Sequence, residues 1–352
     1  MNKTFWRNKR VLITGHTGFK GAWLVLLLNH LNAKLFGIGL NPISNRNLFE
    51  DYNLQKSIKS YIEDIRNYDI IKKIITQIKP DIIIHLAAQA FVRKSYDDPI
   101  ATYSTNVMGT ANLLDISRSI SNLKVFLNVT TDKCYENKNW IWGYRENDNL
   151  GGSDPYSSSK ACSEILTNSF NESFLKNSIG VATARAGNVI GGGDYSEDRL
   201  VPDILDSFFK NKNIILRNPD SIRPWQHVLE PLSGYLLLIE NLYKNPKKFS
   251  GSWNFGPNPE DAKSVKYVTD YLIKKSGKDL KWKKDLKKNP HEEKILNLDI
   301  SKSLKLLGWK PLLNLDKSLD LVMDWHNASL DENHSMFSIS NRQISNYLNL
   351  LQ

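Results

Sequence analysis

The sequence predicts a doubly wound α/β fold, in which helices cover both faces of a parallel sheet and a smaller mixed lobe follows. Three observations lead to this prediction. Short apolar runs without polar alternation recur along the first half of the 352-residue chain, as expected of strands buried on both faces. Amphipathic stretches separate these runs. A glycine-rich turn follows the first run, and together these features are typical of a Rossmann-type architecture.

Six strands are predicted in order along the first half of the chain. They are residues 11–15, 34–40, 60–65, 81–87, 125–131 and 181–187. Between them, residues 68–79 and 106–120 repeat apolar side chains at intervals of three and four, which predicts helices. After about residue 190 the pattern changes to loops rich in Gly, Asp, Pro and Trp. SWNFG, residues 252–256, is a candidate for returning one strand to the first sheet.

These elements divide the chain into three predicted parts. Residues 1–188 form a nucleotide-binding domain that part of 224–260 rejoins, and residues 189–332 form the smaller lobe. Residues 333–352 look like a loosely attached C-terminal tail. With 41% hydrophobic residues, a chain of this length can bury a large core without metals or disulfides.

Composition and charge argue against several function classes. Cys134 and Cys162 have no paired spacing, which favours free thiols in a reducing cytoplasm. None of the seven histidines has metal-ligand spacing, so we expect no metal. No apolar run reaches membrane-spanning length. The net charge of +10 includes a lysine-rich stretch at residues 274–288, but acidic residues are mixed into it. We interpret that stretch as a solvated face and expect neither nucleic-acid nor membrane binding.

The segment GHTGFKG, residues 15–21, lies between the first predicted strand and a helix that we expect to begin near Gly21. Gly15, Gly18 and Gly21 would leave backbone amides open at the positive end of the helix, where a pyrophosphate binds. A plain tight turn would also use glycines. The position after the first strand of an α/β series favours a dinucleotide site, although the spacing is GxxGxxG and not GxGxxG.

The residues after the second and third strands bear on the choice of dinucleotide. The end of the second strand, residues 39–46, lacks the carboxylate that usually holds the ribose of NAD. Arg46 could instead meet the 2′-phosphate of NADP. Asp64 and Ile65 are candidates for the adenine edge and ring face, and we favour NAD.

The segment DPYSSSKACSE, residues 154–164, contains the next candidate site. Tyr156 and Lys160 are four residues apart, so on a helix both project from one face. A nearby ammonium stabilises a phenolate, and we therefore expect Lys160 to lower the pKa of Tyr156 and make it a base. The YxxxK spacing also occurs by chance, but its place shortly after TTDKCY, residues 130–135, favours a catalytic pair.

These motifs, with HLAAQ (85–89), NVMGT (106–110) and LDISKSLKLLGWKP (298–311), resemble the extended short-chain dehydrogenase/reductase family of nucleotide-sugar enzymes. More narrowly, residues 130–161, 184–203 and 223–238 are similar to the bacterial 4,6-dehydratases that act on CDP-glucose. The resemblance implies an NAD-dependent lyase in deoxysugar and O-antigen biosynthesis. It also implies a homodimer, formed through the helix at 106–120 and the helix that carries Tyr156.

The resemblance further implies a catalytic role for each motif residue. Tyr156 would take the proton of the C4 hydroxyl of CDP-glucose while NAD takes the C4 hydride, and Thr131 would hydrogen-bond near that oxygen. Lys133 would remove the C5 proton, in the position where dTDP-glucose relatives have a glutamate. Asp132 would protonate the C6 hydroxyl, which leaves as water before the hydride returns to C6. An ion pair between Lys133 and Asp132 that only fixes geometry is the alternative for Lys133.

Binding residues follow from the same resemblance. Those expected to bind the cofactor are Gly15, Thr17, Gly18, Phe19, Gly21, Asp64, Ile65, Ala87, Ala88, Asn106, Tyr156 and Lys160. Those expected to bind the substrate are Gln89, Asn188, Arg199 and Arg223, although Asn188 could be only a turn-forming residue. We interpret His85 as a structural histidine and His16 as a residue that shapes the glycine turn. Trp225 and His227 are predicted to pack.

Other functions remain open at this point. One is a dehydratase for a dTDP- or GDP-sugar, another is an epimerase of the same fold, and a third is a non-catalytic NAD-binding regulator. Asp132 and Lys133 favour elimination over epimerisation. Tyr156 and Lys160, both present, argue against the regulator.

Overall fold

The strands of the central sheet are parallel, and later strands are added on both sides of the first one. The structure is a computed structural model that describes residues 1–42, 44, 46–176, 178–287, 293, 295–330 and 335–351. Its strands are β1 (Arg10–Thr14), β2 (Lys34–Gly39), β3 (Lys59–Ile62), β4 (Ile82–His85), β5 (Val125–Val129), β6 (Gly180–Ala186), β7 (Asn188–Ile190), β8 (Ile214–Leu216), β9 (Ile222–His227), β10 (Gly251–Phe255), β11 (Ala262–Ser264) and β12 (Trp282–Lys284).

Helices connect and cover these strands. They are α1 (Lys3–Trp6), α2 (Phe19–His30), α3 (Leu48–Asp51), α4 (Tyr68–Ile78), α5 (Val92–Asp97), α6 (Pro99–Tyr103), α7 (Gly109–Ser117), α8 (Pro155–Phe170), α9 (Leu200–Lys210), α10 (Leu229–Lys244), α11 (Pro246–Phe249), α12 (Val265–Ser276), α13 (Leu315–Ser329) and α14 (Met336–Leu350). Wide π-type turns at Ser104–Met108 and Asn171–Leu175 continue α6 into α7 and extend α8. Asp132–Cys134 forms a short 3₁₀ turn directly after β5.

The main sheet has the strand order β10-β6-β5-β4-β1-β2-β3, and all of its pairings are parallel. All six strands predicted in the first half of the chain are confirmed. The predicted return of residues 252–256 is also confirmed, because β10 pairs with β6 at the edge of this sheet. The chain moves outward from β1 to β3 on one side and from β4 to β6 on the other. In such sheets ligands bind where the order reverses, at the carboxyl ends of β1 and β4.

Two apolar cores lie on opposite faces of the main sheet. One core packs α2 and α10 against the sheet, with Trp23 and Leu236 fully buried. The other packs α4 and α7, with Ile75 and Leu113 fully buried. β5 and β6 are buried along their whole length, which explains why their sequences show no polar alternation.

The second lobe contains two small sheets. β9 lies between β11 and β7 in one of them, and β8 pairs with β12 in the other. A separate apolar cluster holds this lobe together, with Ile204, Phe208 and Leu319 at or near zero exposure. β7 begins two residues after the end of β6 and pairs with β9, so both strands lie near the carboxyl edge of the main sheet.

The expectation of a loosely attached C-terminal tail is wrong for residues 335–351. α14 buries Ile344 and Tyr347 against the first core, with relative exposures of 0% and 2%. The Tyr347 hydroxyl donates a hydrogen bond of 2.9 Å to the buried carboxylate of Glu230. The sequence of α14 is rich in polar residues, so its apolar stripe is recognised only from the elements that pack against it. Within the described part of the chain, no helix has both the length and the apolarity that a membrane crossing requires.

Candidate active site

The glycine turn between β1 and α2 forms the floor of the site. Gly15 has a φ of +74°, and a Cβ added there would lie 2.7 Å from the backbone nitrogen of Ala87. A Cβ on Gly21 would lie 2.1 Å from the carbonyl oxygen of Gly15. Around Gly18 the only close neighbour is the Gly15 carbonyl, at 3.5 Å. Gly15 and Gly21 are therefore required by the fold itself, whereas Gly18 leaves open space for a ligand.

The helix that follows begins at Phe19, two residues earlier than predicted, with Gly18 as its N-cap. Since glycine has no side chain to cap the first turn, the amide groups there are available to an anion. This arrangement fits the pyrophosphate of a dinucleotide, which is the ligand predicted for the turn. The neighbouring Thr17 donates its hydroxyl to the Leu40 carbonyl at 2.8 Å, while Phe19 packs beside Gly191.

The histidines near this floor are structural, as predicted. His16 is fully buried, its Nε2 lies 2.7 Å from Ser60 Oγ, and burial lowers its pKa to about 4. Gly37 makes room for the His16 ring, since a Cβ at residue 37 would lie 2.4 Å from it. His85 has both ring nitrogens within hydrogen-bond distance of threonine hydroxyls, at 2.7 and 3.0 Å. His227 is also buried and packs edge-on against Trp23, at 5.8 Å between ring centroids.

A short turn at the carboxyl end of β5 carries three of the predicted catalytic residues. Thr131 caps this turn and donates its hydroxyl to Asp132 Oδ1 at 3.0 Å. Asp132 is only 2% exposed, and burial raises the pKa of its carboxyl group, opposed by the charge of Lys133. Its other oxygen, Oδ2, is buried without a hydrogen-bond partner and faces Gly187, where an added Cβ would approach it to 3.2 Å. A buried carboxyl group with a raised pKa is suited to donate a proton near neutral pH.

Tyr156 and Lys160 project toward this turn from the first turns of α8. Asp154 caps the helix by accepting a hydrogen bond from the backbone nitrogen of Ser157, and Pro155 occupies its first turn. Lys160 is 4% exposed, and its ammonium donates to the Val129 carbonyl at 2.9 Å. Tyr156 therefore lies within hydrogen-bond reach of Thr131, and Lys160 binds the residue two positions before it.

Burial has the largest effect on the pKa of Tyr156 in this structure, so a lowering by Lys160 stays a prediction. Burial raises the pKa of Tyr156 to about 12, and the interactions that oppose this rise come from Thr131 and Arg199. Burial also lowers the pKa of Lys160 to about 8, against the charge of Glu164. Sequence spacing identified the pair but could not include desolvation, which acts on both groups in the direction of their neutral forms.

Two residues beside the site were missed by the sequence reasoning. Burial and the positive charges of Arg199 and Lys160 lower the pKa of Lys20 to about 7, with Asp132 opposing them. The Lys20 ammonium lies 5.8 Å from the ring centroid of Tyr235, whose hydroxyl is buried without a hydrogen-bond partner. Lys20 stands inside the glycine turn, and that position could have indicated its role.

A buried ion pair beside the catalytic turn was also missed. Arg185 in β6 binds Glu164 in α8 through two hydrogen bonds, of 2.9 and 2.8 Å. Glu164 stands four residues after Lys160, and this spacing was the available signal. Nothing in the sequence indicated that Arg185, inside an apolar strand, would be its partner.

Two arginines beyond the main sheet act electrostatically on groups of the site, Arg199 on Tyr156 and Arg223 on Asp132. Arg199 precedes α9, lies over the Phe91 ring at 5.6 Å and pairs with Asp194 at 3.4 Å. Arg223 in β9 is 6% exposed, donates to the Ile222 carbonyl at 2.9 Å and acts electrostatically on Asp132. Arg93 and Arg217, which the sequence reasoning did not select, both meet Asp198, at 3.1 and 3.5 Å. Such a set of guanidinium groups suits a diphosphate.

The remaining predicted residues lie near the site in different roles. Asn106 is buried, accepts from the Gln89 backbone nitrogen at 2.8 Å and donates to its carbonyl at 3.0 Å and to Ser159. The Gln89 side chain binds Phe91 and Thr102. Direct ligand contacts by Asn106 and Gln89 therefore stay predictions. Asn188 pairs with Trp225 across β7 and β9, and Trp225 is packed, as expected.

Residues predicted to meet the adenosine half of a dinucleotide lie beyond β2 and β3. The Asp64 carboxylate pairs with the Arg66 guanidinium at 2.6 Å, which holds its pKa below the usual value. Ile65 is 3% exposed and packs against Gly109. Arg46 lies over the Tyr195 ring at 4.7 Å. Ala87 and Ala88 follow β4 and are half-buried beside the glycine turn.

The assembled site combines an anion-binding turn with acid and base groups at the switch point of the sheet. A phenol, a buried carboxyl group and two amines, of Tyr156, Asp132, Lys160 and Lys20, lie close enough to act on one another electrostatically. Moving protons between these groups and a bound hydroxylated ligand is chemistry that the geometry allows.

Comparisons with known proteins match nearly the whole chain. The family model described as GDP-mannose 4,6 dehydratase matches residues 12–321. A CDP-glucose 4,6-dehydratase from Salmonella typhimurium is 48% identical over 99% of this chain and 98% of its own length. A dTDP-glucose 4,6-dehydratase from Haemophilus influenzae is 24% identical over 90% of this chain and 97% of its own length.

Solved structures show the same fold at low sequence identity. A UDP-glucose 4-epimerase from Thermotoga maritima with UDP-glucose matches with a TM-score of 0.79 at 22% identity, covering 91% of this chain and 99% of that chain. A dTDP-glucose 4,6-dehydratase from Bacillus anthracis in complex with NAD matches with a TM-score of 0.75 at 22% identity, covering 92% and 97%.

Proposed function

Because this chain belongs to the GDP-mannose 4,6 dehydratase family, we propose that it removes water from a nucleotide sugar, and specifically from CDP-glucose. The product would be CDP-4-dehydro-6-deoxyglucose. The 48% identity to a CDP-glucose 4,6-dehydratase over 99% of the chain supports the choice of nucleotide.

The observation that carries this proposal is the meeting of a buried carboxyl group and a tyrosine at one edge of the sheet. Asp132, whose pKa is raised by burial, lies beside Thr131 and acts electrostatically on Tyr156. Epimerisation at C4 needs only the tyrosine and a hydride acceptor. Elimination of water also needs an acid for the leaving hydroxyl, and Asp132 fits that need.

The glycine turn fits NAD as the cofactor. The open space at Gly18 and the uncapped start of α2 would hold its pyrophosphate, with Gly15 and Gly21 shaping the turn. When bound, NAD would supply a cationic hydride acceptor that takes the hydride from C4 of the sugar and returns it to C6.

The side chains of this chain would then move the protons. Tyr156 accepts the proton of the C4 hydroxyl, and Lys160, charged below its pKa of about 8, favours the phenolate. The C4 ketone makes the C5 hydrogen acidic, and Lys133 removes it as a base. Asp132 gives its proton to the C6 hydroxyl, which departs as water. Thr131 orients the C4 oxygen between these groups.

Arg199 and Arg223 would hold the substrate diphosphate. Arg223 is buried and would act deep in the site. Arg199 is partly exposed and would act nearer the solvent. A fixed diphosphate places the hexose toward Tyr156 and Asp132, which is where orientation contributes most to the rate.

We also propose that the protein is a homodimer. Large apolar side chains are exposed along α6 and α8 and on the π-type turns that continue them. Ile100 is 77% exposed, Met108 57%, Ile165 59% and Phe174 53%. The contact of Arg118 with the Phe174 ring, at 4.3 Å, shows that the far ends of α7 and α8 are adjacent. Large apolar groups on neighbouring helices are typical of a surface that a second copy covers.

The free thiols of Cys134 and Cys162 are consistent with a cytoplasmic location. A 4-keto-6-deoxy nucleotide sugar is a precursor of deoxysugars, so we propose a role in making the O-antigen of lipopolysaccharide.

The test is incubation of the purified protein with CDP-glucose, dTDP-glucose and GDP-mannose in separate reactions with NAD. We expect the alkali-induced absorbance of a 4-keto-6-deoxy product from CDP-glucose, without net NADH. Turnover of the dTDP compound alone would overturn the nucleotide assignment, and a C4 epimer without loss of water would overturn the dehydratase.

A further inference from the structure

The buried ion pair between Glu164 and Arg185 is hydrogen-bonded to the two residues that flank the turn at residues 131–134. The two side chains are 1% and 2% exposed, and the carboxylate receives the guanidinium at 2.9 and 2.8 Å. Thr183 and Ser252 donate further hydrogen bonds to the same carboxylate, at 2.6 and 3.2 Å. A fully satisfied buried pair of this kind is rigid, since moving either partner exposes an unpaired charge.

The ion pair holds both residues that flank the turn. On the amino side, the Thr130 hydroxyl donates to Glu164 Oε1. On the carboxyl side, Arg185 Nη1 donates to the Tyr135 hydroxyl at 2.7 Å, and that hydroxyl donates to Asn254 at 2.7 Å. Residues 131–134, with the proposed acid and base, lie between these two anchors.

The same ion pair belongs to the helix that carries the tyrosine. Tyr156, Lys160 and Glu164 follow one another at intervals of four residues along α8, so they share one face. The helix α8 therefore carries Tyr156 itself and also holds the turn, through the side chain of Glu164.

We propose that the Glu164–Arg185 pair is a positioning element that fixes the turn at residues 131–134 relative to Tyr156. This inference rests on the proposed function. Oxidation at C4 depends on Tyr156 and on Thr131 beside it, whereas elimination also needs Asp132 and Lys133 aligned with C6 and C5 at the same time. Loosening the turn should therefore slow elimination more than oxidation, because small misplacements of acid and base groups are costly.

The test removes the anchors and leaves the ion pair intact. Thr130→Val and Tyr135→Phe each delete one hydroxyl that connects the turn to the pair. Thr183→Val is the matched control, since it deletes a hydroxyl that donates to the same carboxylate from β6 without touching the turn. All variants are made with Cys162→Ser, which leaves Cys134 as the single thiol of the chain.

The first measurement is independent of the substrate. Cys134 lies within the turn at 0% exposure, so its modification by a thiol reagent reports opening of the turn. We expect Thr130→Val and Tyr135→Phe to accelerate modification about tenfold, because hydrogen bonds to charged partners are lost, and Thr183→Val to leave the rate near that of the parent. Equal rates in all three variants would overturn the inference whatever the substrate is.

The second measurement compares the two halves of the reaction in a single turnover with CDP-glucose. Transient NADH reports oxidation at C4, and solvent deuterium at C5 reports the start of elimination. In the two anchor variants we expect the ratio of exchange to oxidation to fall by about tenfold. Proportional loss of both steps would contradict a positioning role. A parent protein that converts none of the sugar nucleotides would overturn the proposed function, and the thiol measurement would still decide this inference.

Discussion

The ammonium nitrogen of Lys160 lies 2.9 Å from the carbonyl oxygen of Val129, the last residue of β5. This contact connects α8 to the strand that carries the catalytic turn, two residues before Thr131. The carbonyl that accepts this hydrogen bond is neutral, and burial lowers the pKa of Lys160 to about 8. The site therefore contains a group whose charge changes close to physiological pH.

The rate of C4 oxidation should fall as the pH rises through about 8. Lys160 loses its proton there instead of near its ordinary value of 10.5, and its support for the phenolate is lost. The unfolded chain keeps this proton to higher pH, so between pH 8 and 10.5 this group makes unfolding less favourable as the pH rises. The titration of Lys160 therefore stabilises the fold in this pH range, and unfolding does not explain the fall in the oxidation rate. Single-turnover NADH formation against pH measures it, and a rate that stays constant to pH 10 would contradict the role of Lys160.

Asp132→Asn should separate oxidation from water loss. The amide has nearly the same shape but cannot give a proton to the C6 hydroxyl, so we expect elimination to slow by about 100-fold or more. Oxidation at C4 should change by only a few-fold. Rapid-quench product analysis measures water loss, and transient absorbance of NADH measures oxidation. Water loss at the parent rate would exclude Asp132 as the acid.

Lys133→Met should preserve transient reduction of NAD and abolish solvent exchange at C5. The methionine keeps most of the length of the side chain but has no group that accepts a proton. Mass spectrometry of the sugar after incubation in D₂O measures the exchange. If exchange continues unimpaired, Lys133 is not the base and its role is the ion-pair alternative.

Two glycine variants should separate folding from cofactor binding. Gly21→Ala places a methyl group 2.1 Å from the Gly15 carbonyl oxygen, and we expect the free energy of unfolding to fall by about 1–3 kcal/mol. Gly18→Ala meets that oxygen at 3.5 Å, an ordinary contact, and should fold with a loss below about 1 kcal/mol. Its methyl group should nevertheless weaken NAD binding at least about tenfold. Urea titration and calorimetry with NAD measure the two effects, and parent affinity in Gly18→Ala would argue against the proposed pyrophosphate position.

Ile165→Asp and Phe174→Asp should convert the proposed dimer into monomers. A buried carboxylate at an apolar interface is strongly unfavourable, whereas in a monomer both positions are exposed, at 59% and 53%. Phe209→Asp is the matched control, because this phenylalanine is 71% exposed on α9, a helix of the second lobe. Light scattering after gel filtration gives the mass of each variant. If all three variants keep the mass of the parent protein, the interface does not lie on α6–α8.

The strand pattern and the site motifs were predictable because their signals are local. Runs buried on both faces identified the strands of the first half, and the spacing of Gly15, Gly18 and Gly21 identified the turn. The four-residue interval between Tyr156 and Lys160 placed both on one helix face. Each of these signals lies within a few consecutive residues, where geometry follows directly from secondary structure.

Only the tertiary structure decided how these pieces act together. Arg185 and Glu164 are 21 residues apart and on different elements, so no local pattern predicts their ion pair. The pKa of Tyr156 rises to about 12 because burial outweighs the charges that sequence spacing suggested. Desolvation and long-range pairing depend on which surfaces the whole chain brings together. The sequence by itself therefore determined the sheet and the chemical groups of this protein, and the folded chain determined their protonation and alignment.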